Sequence, residues 1–330
     1  MQDQSPLWIS EADVVSLMSM GDAINALEKG LLAEASGNAQ NMVKTHATWG
    51  KGSTLHAIGA VFAREGFAGT KTWAHTEGGA TPLLILFDSG DGSLKAIIEA
   101  FALGQLRTGA ATGVATRLLA AEGADELAII GAGKQAPAQI AAVVAARPIR
   151  RIRVYGRNEE RRTKIASWAS AEFGVKVVAA ASIAEAVASA PIITVVTRAT
   201  EPILFGEMVS RGAHINAVGA IVPDRAEIAR DALDRCDQVV VDTIPSAQNL
   251  SRELIEYFGA STSGWGQVKS LANALASGQS RSANDDLTLF KSLGMGISDL
   301  ALGIELYNRA VTLGYGLEFT HPKKAAPRLR

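Results

Sequence analysis

The sequence predicts an α/β protein built on a doubly wound parallel sheet, accompanied by a smaller α+β domain, and three observations predict it. First, the run Leu127-Ala-Ile-Ile-Gly-Ala-Gly-Lys-Gln-Ala136 is a short apolar strand that ends in Gly131-X-Gly133-X-X-Ala136 and opens into a helix. In such a turn Gly131 permits the tight bend and Gly133 lets the backbone approach a pyrophosphate. Ala136 lets the helix sit close to the strand, with the helix N-terminal amides facing the negative charge. Second, a helix over residues 134–146 is followed by Ile149-Arg-Arg-Ile-Arg-Val-Tyr155, and the two strands enclose about the ~30 residues of a βαβ crossover. Third, largely continuous apolar runs at 192–197, 215–218 and 238–241 read as strands buried on both faces, as parallel strands are. Alternating strands and helices of this kind make a Rossmann-type dinucleotide-binding domain, and the expected cofactor is a nicotinamide or flavin dinucleotide.

The elements follow in order. Residues 10–36 read as two helices, the first capped by Ser10 and the second opening at Asp22, with Ile24, Leu27 and Leu31 at helical spacing. The period then changes. Short β-like runs at 42–49, 54–62, 68–75, 83–87 and 96–100 are separated by glycine-rich turns and form a meander. Residues 106–121, rich in Ala and Leu and punctuated by Gly109 and Gly113, form a helix that carries the chain into the dinucleotide domain. Beyond the phosphate turn, 175–179 is a strand, and Ser182-Ile-Ala-Glu185 is a capping box that starts a short helix. Residues 300–313 are helical and return to the first domain, and 322–330 is a loose end. The resulting division is 1–110 with 301–330 in one domain and 111–300 in the other.

Composition limits the function classes. The 330 residues, 48% of them hydrophobic, suffice for two sizeable cores. A net charge of −1 with cations spread along the chain gives no nucleic-acid footprint. One cysteine, Cys236, excludes an intrachain disulfide and a Cys-based zinc cluster, and reads as a small buried apolar residue. His46, His56, His75, His214 and His321 lack metal-ligand spacing, so no metal is expected. The start Met-Gln-Asp-Gln-Ser-Pro-Leu-Trp lacks the basic and apolar regions of a secretory signal, and no run of 18 apolar residues occurs, so a soluble cytoplasmic protein without a membrane partner is expected.

The second strand indicates which dinucleotide. NAD sites usually place Asp or Glu at its end to bind the ribose 2′-hydroxyl, whereas here it ends Val154-Tyr-Gly-Arg-Asn158. Arg157, with Arg161 or Arg162 behind it, suits a 2′-phosphate. NADP(H) is the preferred cofactor and NAD(H) an acceptable one. The expected cofactor contacts are Gly131, Ala132, Gly133, Lys134 and Gln135 at the turn, Arg157 at the ribose, and Thr197 and Gly219 at the ends of later strands.

Several blocks distributed over most of the chain carry a family resemblance: Gly69-Thr-Lys71, Leu106-Arg-Thr-Gly-Ala-Ala111, Gly131-Ala-Gly133, Ala199-Thr-Glu-Pro-Ile-Leu-Phe205, Gly212-Ala-His-Ile-Asn-Ala-Val-Gly-Ala220 and Phe290-Lys-Ser-Leu-Gly-Met295. With them the chain resembles the ornithine cyclodeaminase and mu-crystallin family, the last three blocks being most similar to the mu-crystallin, ketimine reductase branch. The resemblance implies a homodimer, with dimer contacts and substrate groups in the first domain and a nicotinamide held by the second, acting on amino acids or their imines. It places a catalytic lysine at Lys71 and a substrate-carboxylate arginine at Arg107. A further family arginine falls at Lys44, which keeps the charge but loses the planar fork that grips a carboxylate bidentately. Cyclodeaminases carry an aspartate two residues before a proline, where Gly219-Ala-Ile-Val-Pro223 has Ile221; Asp224 lies beyond Pro223, and Glu227 fits a position that looks structural. Mu-crystallin-like ketimine reductases also lack that aspartate.

Reduction of an imine needs a hydride held over the C=N carbon, a cation to fix the neighbouring carboxylate, and a group that keeps the nitrogen protonated. Arg107 meets the second need. Lys71 meets the third or binds the carboxylate, since a lysine set beside other cations can exchange a proton near neutrality. By spacing alone Lys71 reads as a surface strand lysine and Arg107 as a helix-start ion pair; the resemblance moves both towards function. The substrate pocket is expected to draw on His56, Trp73 and His75. The expected activity is NAD(P)H-dependent reduction of a small α-imino acid, such as Δ1-pyrroline-2-carboxylate or Δ1-piperideine-2-carboxylate, to an L-amino acid. The alternatives are ornithine cyclodeamination, an alanine-type amino-acid dehydrogenase, and a non-catalytic binder of NADP(H) or a small ligand.

Overall fold

The structure is a computed structural model and describes residues 5–50, 52–259 and 262–329. The chain divides into two compact units, Met1–Ser19 with Ser36–Gly104 and Met295–Arg330, and Met20–Ala35 with Gln105–Gly294.

The second unit is built on an eight-stranded, all-parallel sheet. Its order is Lys176–Ala179, Arg151–Tyr155, Glu126–Ile130, Ile192–Val195, His214–Ala217, Leu287–Lys291, Cys236–Val241 and Val268–Ser270. The first strand shows why the sheet is covered on both faces. Leu127 and Ile129 point into a core shared with Ile140 and Val143, whereas Ala128 and Ile130 point into another, shared with Leu204 and Leu254. Strand order reverses between Glu126–Ile130 and its neighbours on either side, and this switch point is where doubly wound sheets open a crevice.

Two differences from expectation matter in this unit. The helix after the phosphate turn is Ala136–Ala146, so Lys134 and Gln135 remain in the turn, and Pro137 sits in the first helical turn, where its missing N–H is no loss. The strand Leu287–Lys291 was not foreseen, because Thr288 and Lys291 break its apolar run. Inside the fold Thr288 Oγ1 donates to Leu119 O at 2.9 Å, and the Lys291 charge is paired with Glu253, Nζ lying 2.7 Å from Oε2.

The first unit is a nine-stranded, mostly antiparallel sheet. The expected meander is present, with the 42–49 run replaced by Ala39–Asn41 and Thr45–Trp49, which both pair with Ser53–Phe62. That strand pairs with Phe67–Thr76, followed by Leu83–Asp88 and Leu94–Glu99. Two strands come from the chain's ends, Leu7–Ile9 parallel to Leu94–Glu99, and Leu317–Glu318 antiparallel to Leu7–Ile9.

Three expectations on helices are corrected. The linking helix is Phe101–Leu119 and starts five residues earlier than 106, because Glu11 accepts from the amides of Phe101 (2.5 Å) and Ala102 (2.9 Å). The last long helix is Gly296–Leu313, its early start helped by Asn41 Oδ1, which accepts from Ile297 N at 2.9 Å. Such caps come from remote chain and leave no local signature. The helix Met20–Ala35 groups with the second unit and not with 1–110, since Gly109 and Gly113 make room for it: a Cβ on Gly109 would lie 2.7 Å from Met20 Cε, and one on Gly113 2.4 Å from Ile24 Cδ1. The boundaries therefore fall at 104/105 and 294/295 instead of 110/111 and 300/301. Residues 322–329 have no regular structure; Arg330 lies outside the described residues.

Candidate active site

A cleft of about 1070 Å³ opens at the switch point of the second unit. Its base is the phosphate turn. Gly131 has φ +126°, and a Cβ on it would lie 2.4 Å from Val196 O, so the chain passes here only as glycine. Nothing lies within 4 Å of the Cβ that Gly133 lacks, so its bare backbone faces open space. Ala132, Lys134 and Gln135 line the cleft beside them, as do Gly156, Arg157 and Asn158 at the end of the second strand. Of the two arginines behind Arg157, Arg161 lines the cleft, whereas Arg162 folds back to donate to Gly156 O at 3.2 Å and to pair with Glu159 at 3.7 Å. Arg107, Lys134, Arg157, Arg161, Arg198 and Arg225 all contribute to the wall, and no Asp or Glu does among the described residues. A cleft so charged suits a polyanion such as the pyrophosphate of a dinucleotide.

Beneath the cleft lies a floor of buried charge. Glu227 accepts from Thr197 N (2.6 Å), Thr197 Oγ1 (2.7 Å), Gly219 N (2.8 Å) and Ala220 N (2.9 Å). It thereby ties the segments leaving two adjacent strands, and Thr197 and Gly219 both line the cleft. Glu253 accepts in turn from the amides of Glu227 (2.5 Å) and Ile228 (3.0 Å) and pairs with Lys291. Asp242 holds the turn after Leu287–Lys291 by accepting from Leu293 N (2.6 Å) and Gly294 N (2.5 Å). Burial pushes the carboxyls of Glu227 and Asp242 above the usual carboxylate range, against the opposing pull of Lys291 on the first and of backbone donors on the second.

Arg107 lines the cleft with Thr108 and the Ser292–Leu293–Gly294 turn, where a Cβ on Gly294 would lie 3.1 Å from Arg107 Nη1. Ile221 also lines it; Asp224 is exposed and does not.

Lys71 lies in the first unit, on the strand Phe67–Thr76. It is 4% exposed, which rules out a surface lysine, and its Nζ lies 2.5 Å from Asp299 Oδ1 in the first turn of Gly296–Leu313. The expectation of a lysine among cations is corrected at this point, for its closest charged partner is a buried carboxylate. The Lys71 ammonium also stands 5.2 Å from the centroid of the Trp73 ring. Lys44, in the segment between Ala39–Asn41 and Thr45–Trp49, is half-buried and acts electrostatically on His56.

A family model described as the ornithine cyclodeaminase/mu-crystallin family matches residues 5–313. The chain belongs to that family. Among curated relatives, a Δ1-pyrroline-2-carboxylate reductase of Bacillus cereus is 33% identical over 236 residues, 71% of this chain and 72% of that protein. The ketimine reductase mu-crystallin of Mus musculus is 36% identical over 225 residues, 68% of each chain. The solved structure of Thermococcus litoralis Δ1-pyrroline-2-carboxylate reductase in complex with NADH and L-proline superposes with a TM-score of 0.88 at 28% identity, covering 95% of this chain and 100% of that one.

Of the residues expected at the cofactor, Gly131, Ala132, Gly133, Lys134, Gln135, Arg157, Thr197 and Gly219 all line the cleft, whereas Asp299, Asp242, Glu253 and Lys291 carry no local signal that singles them out. No spacing rule pairs Lys71 with Asp299. Glu227, taken as structural, is the clamp under the cleft. His214 and Cys236 are structural, as the sequence reading has them. His214 is fully buried, bonded to Thr288 Oγ1 and Asn216 Oδ1 at 3.0 Å each, and desolvation pushes its pKa down to about 3, so it stays neutral. Burial pushes the Cys236 thiol up to about 12. Among the described residues no group of three or more His, Cys, Asp or Glu is placed to hold a metal ion, and no helix is long and apolar enough to cross a membrane.

Proposed function

We propose that this chain is an NAD(P)H-dependent imine reductase that converts a small α-imino acid to an L-amino acid. The observation that carries the reading is the wall of the dinucleotide cleft, which holds Arg107 and Ile221 and, among the described residues, no carboxylate. Cyclodeamination of ornithine requires a base during oxidation, ring closure and loss of ammonia, and general bases contribute typically ~10² to 10⁴ in rate. Ile221 offers none where the cyclodeaminases carry their aspartate. Reduction of a preformed imine makes no such demand.

The cofactor's pyrophosphate fits the bare backbone at Gly131 and Gly133, and a 2′-phosphate fits Arg157 and Arg161, so NADP(H) is preferred and NAD(H) accepted. When bound, the reduced nicotinamide supplies a hydride that forms the new C–H bond at the imine carbon, while the C=N π pair takes one proton at nitrogen and no group leaves. Arg107 binds the substrate carboxylate, its planar fork fixing the imine carbon in one orientation. Lys71 holds a proton at Nζ for the nitrogen, and the buried Asp299 carboxylate keeps that ammonium in place. Lys44 adds a second positive charge for the carboxylate. The active species is a cytoplasmic homodimer that associates through the first unit, whose strands leave Trp49, Leu55 and Val61 exposed.

The test incubates the purified protein with ornithine and NAD⁺, measuring proline and ammonia, and separately with Δ1-pyrroline-2-carboxylate, Δ1-piperideine-2-carboxylate, or pyruvate with methylamine or ammonium, each with NADPH. Imine reduction without proline formation from ornithine is expected. Efficient proline formation with no imine reduced would overturn the reading, and binding of NADPH without any turnover would point to the non-catalytic alternative.

A further inference from the structure

A ladder of rings crosses three strands of the first unit. His46 stands opposite His56, and His56 opposite Trp73, in the registers of Thr45–Trp49, Ser53–Phe62 and Phe67–Thr76. The His46 and His56 rings stack at 5.6 Å between centroids and 29° between planes, and those of His56 and Trp73 at 4.7 Å and 21°. Side chains alternate along a strand, so Lys71, Trp73 and His75 share one face, at about 7 Å per same-face step. The ladder therefore begins at Lys71, whose ammonium lies over the Trp73 ring.

The chemistry of this face is basic. After burial, the influences acting on His56 are Lys44, His46 and His75, reaching it from the connecting segment and from the strands on both sides, and each makes the imidazole harder to protonate. The Nε2 atom of His56 lies 2.8 Å from Thr54 Oγ1, while its Nδ1 is buried with no hydrogen-bond partner among the described residues. Buried polar atoms are normally satisfied, and one that is not invites a ligand group. The three imidazoles do not form a metal site: two of the rings stack face to face, and no such cluster fit to hold a metal occurs among the described residues. A small anion is what this face lacks.

We propose that Lys44, His46, His56, Trp73 and His75 form the specificity surface for a second carboxylate on the substrate, so that the imine reduced is a 2-imino dicarboxylate. The proposal rests on the imine-reductase reading and extends it from the reacting centre at Lys71 to the substrate's side chain. One same-face step along the strand, about 7 Å, is the reach of a short side chain ending in a carboxylate that accepts from an imidazole. The bond changes at the imine are those already given, and the second carboxylate takes no part in them.

The experiment measures kcat/KM of the purified full chain, with NADPH and with NADH, for imines formed from oxaloacetate and ammonium, from pyruvate and ammonium, and for Δ1-pyrroline-2-carboxylate. The oxaloacetate-derived imine is expected to exceed both others by tenfold or more. In His56→Ala and in His75→Ala the ratio of dicarboxylate to monocarboxylate efficiency should fall at least fivefold. Succinate should compete with the pyruvate-derived imine at concentrations where acetate does not. Equal or better use of the pyruvate-derived or cyclic imine by the unmodified protein would overturn this proposal alone, and so would a ratio unchanged in both variants. Reduction of none of the imines would overturn the underlying reading and this proposal with it.

Discussion

Two glycines two residues apart, Gly131 and Gly133, should respond to the same substitution in opposite ways. In Gly131→Ala the new methyl lies 2.4 Å from Val196 O, and the backbone must hold an L side chain at φ +126°. Strain at such a dihedral costs about 1–3 kcal/mol, and overpacking adds about 1–3 kcal/mol. Taking about 3 kcal/mol in total, and about 2–4 °C per kcal/mol for a domain of 150–250 residues, Tm should fall by roughly 6–12 °C. In Gly133→Ala the methyl meets nothing within 4 Å, so the fold is untouched, but the methyl occupies space that the pyrophosphate needs. A loss of about 1–3 kcal/mol of binding, roughly 5- to 150-fold in Kd, follows if the backbone contact is displaced. Thermal unfolding of the cofactor-free protein gives the first quantity, and titration of NADPH fluorescence gives the second. Equal destabilisation by the two variants, or wild-type NADPH affinity in Gly133→Ala, would refute the assignment of one glycine to the fold and the other to the cofactor.

Arg157→Ala should weaken NADPH by about 1.5–3 kcal/mol through loss of a charge-assisted hydrogen bond and leave NADH little changed; equal affinity of the unmodified protein for both cofactors would remove its basis. Arg107→Lys should raise the imine KM strongly without altering cofactor affinity, because the bidentate grip is lost. Lys71→Ala should mainly depress kcat, and Asp299→Asn should do so to a smaller extent, since the 2.5 Å contact places Lys71 from behind; wild-type steady-state kinetics in both would move the site elsewhere. Asp242 binds its proton more tightly in the folded chain than in the unfolded one, so its contribution to stability is fully present below the unfolded carboxylate range, near pH 4, and is lost as pH rises through the raised folded value. Tm should therefore decline as pH rises from about 4 through the mildly acidic range, and Asp242→Asn should flatten that slope; an unaltered slope would assign it to other groups.

What the sequence determined by itself was what neighbouring residues decide. The turn Gly131-Ala-Gly133 and the strand it closes are a matter of ten consecutive residues, as are the arginines after Tyr155, and hydrophobic period separates buried parallel strands from the meander because side-chain direction repeats every two residues in a strand and every 3.6 in a helix. Only the tertiary structure decided the rest, because each remaining feature depends on groups far apart in the chain. Glu11 starts the helix at Phe101, and Asn41 starts the one at Gly296. Helix Met20–Ala35 joins the dinucleotide unit because two glycines far downstream leave room for it. Glu227, Glu253 and Asp242 look like ordinary acidic residues until folding removes their water and surrounds them with backbone donors and Lys291. Lys71 reads as a surface lysine until Asp299 arrives beside it from 228 residues away, and no local pattern records that pairing, since desolvation and charge partnership exist only once the chain has closed on itself.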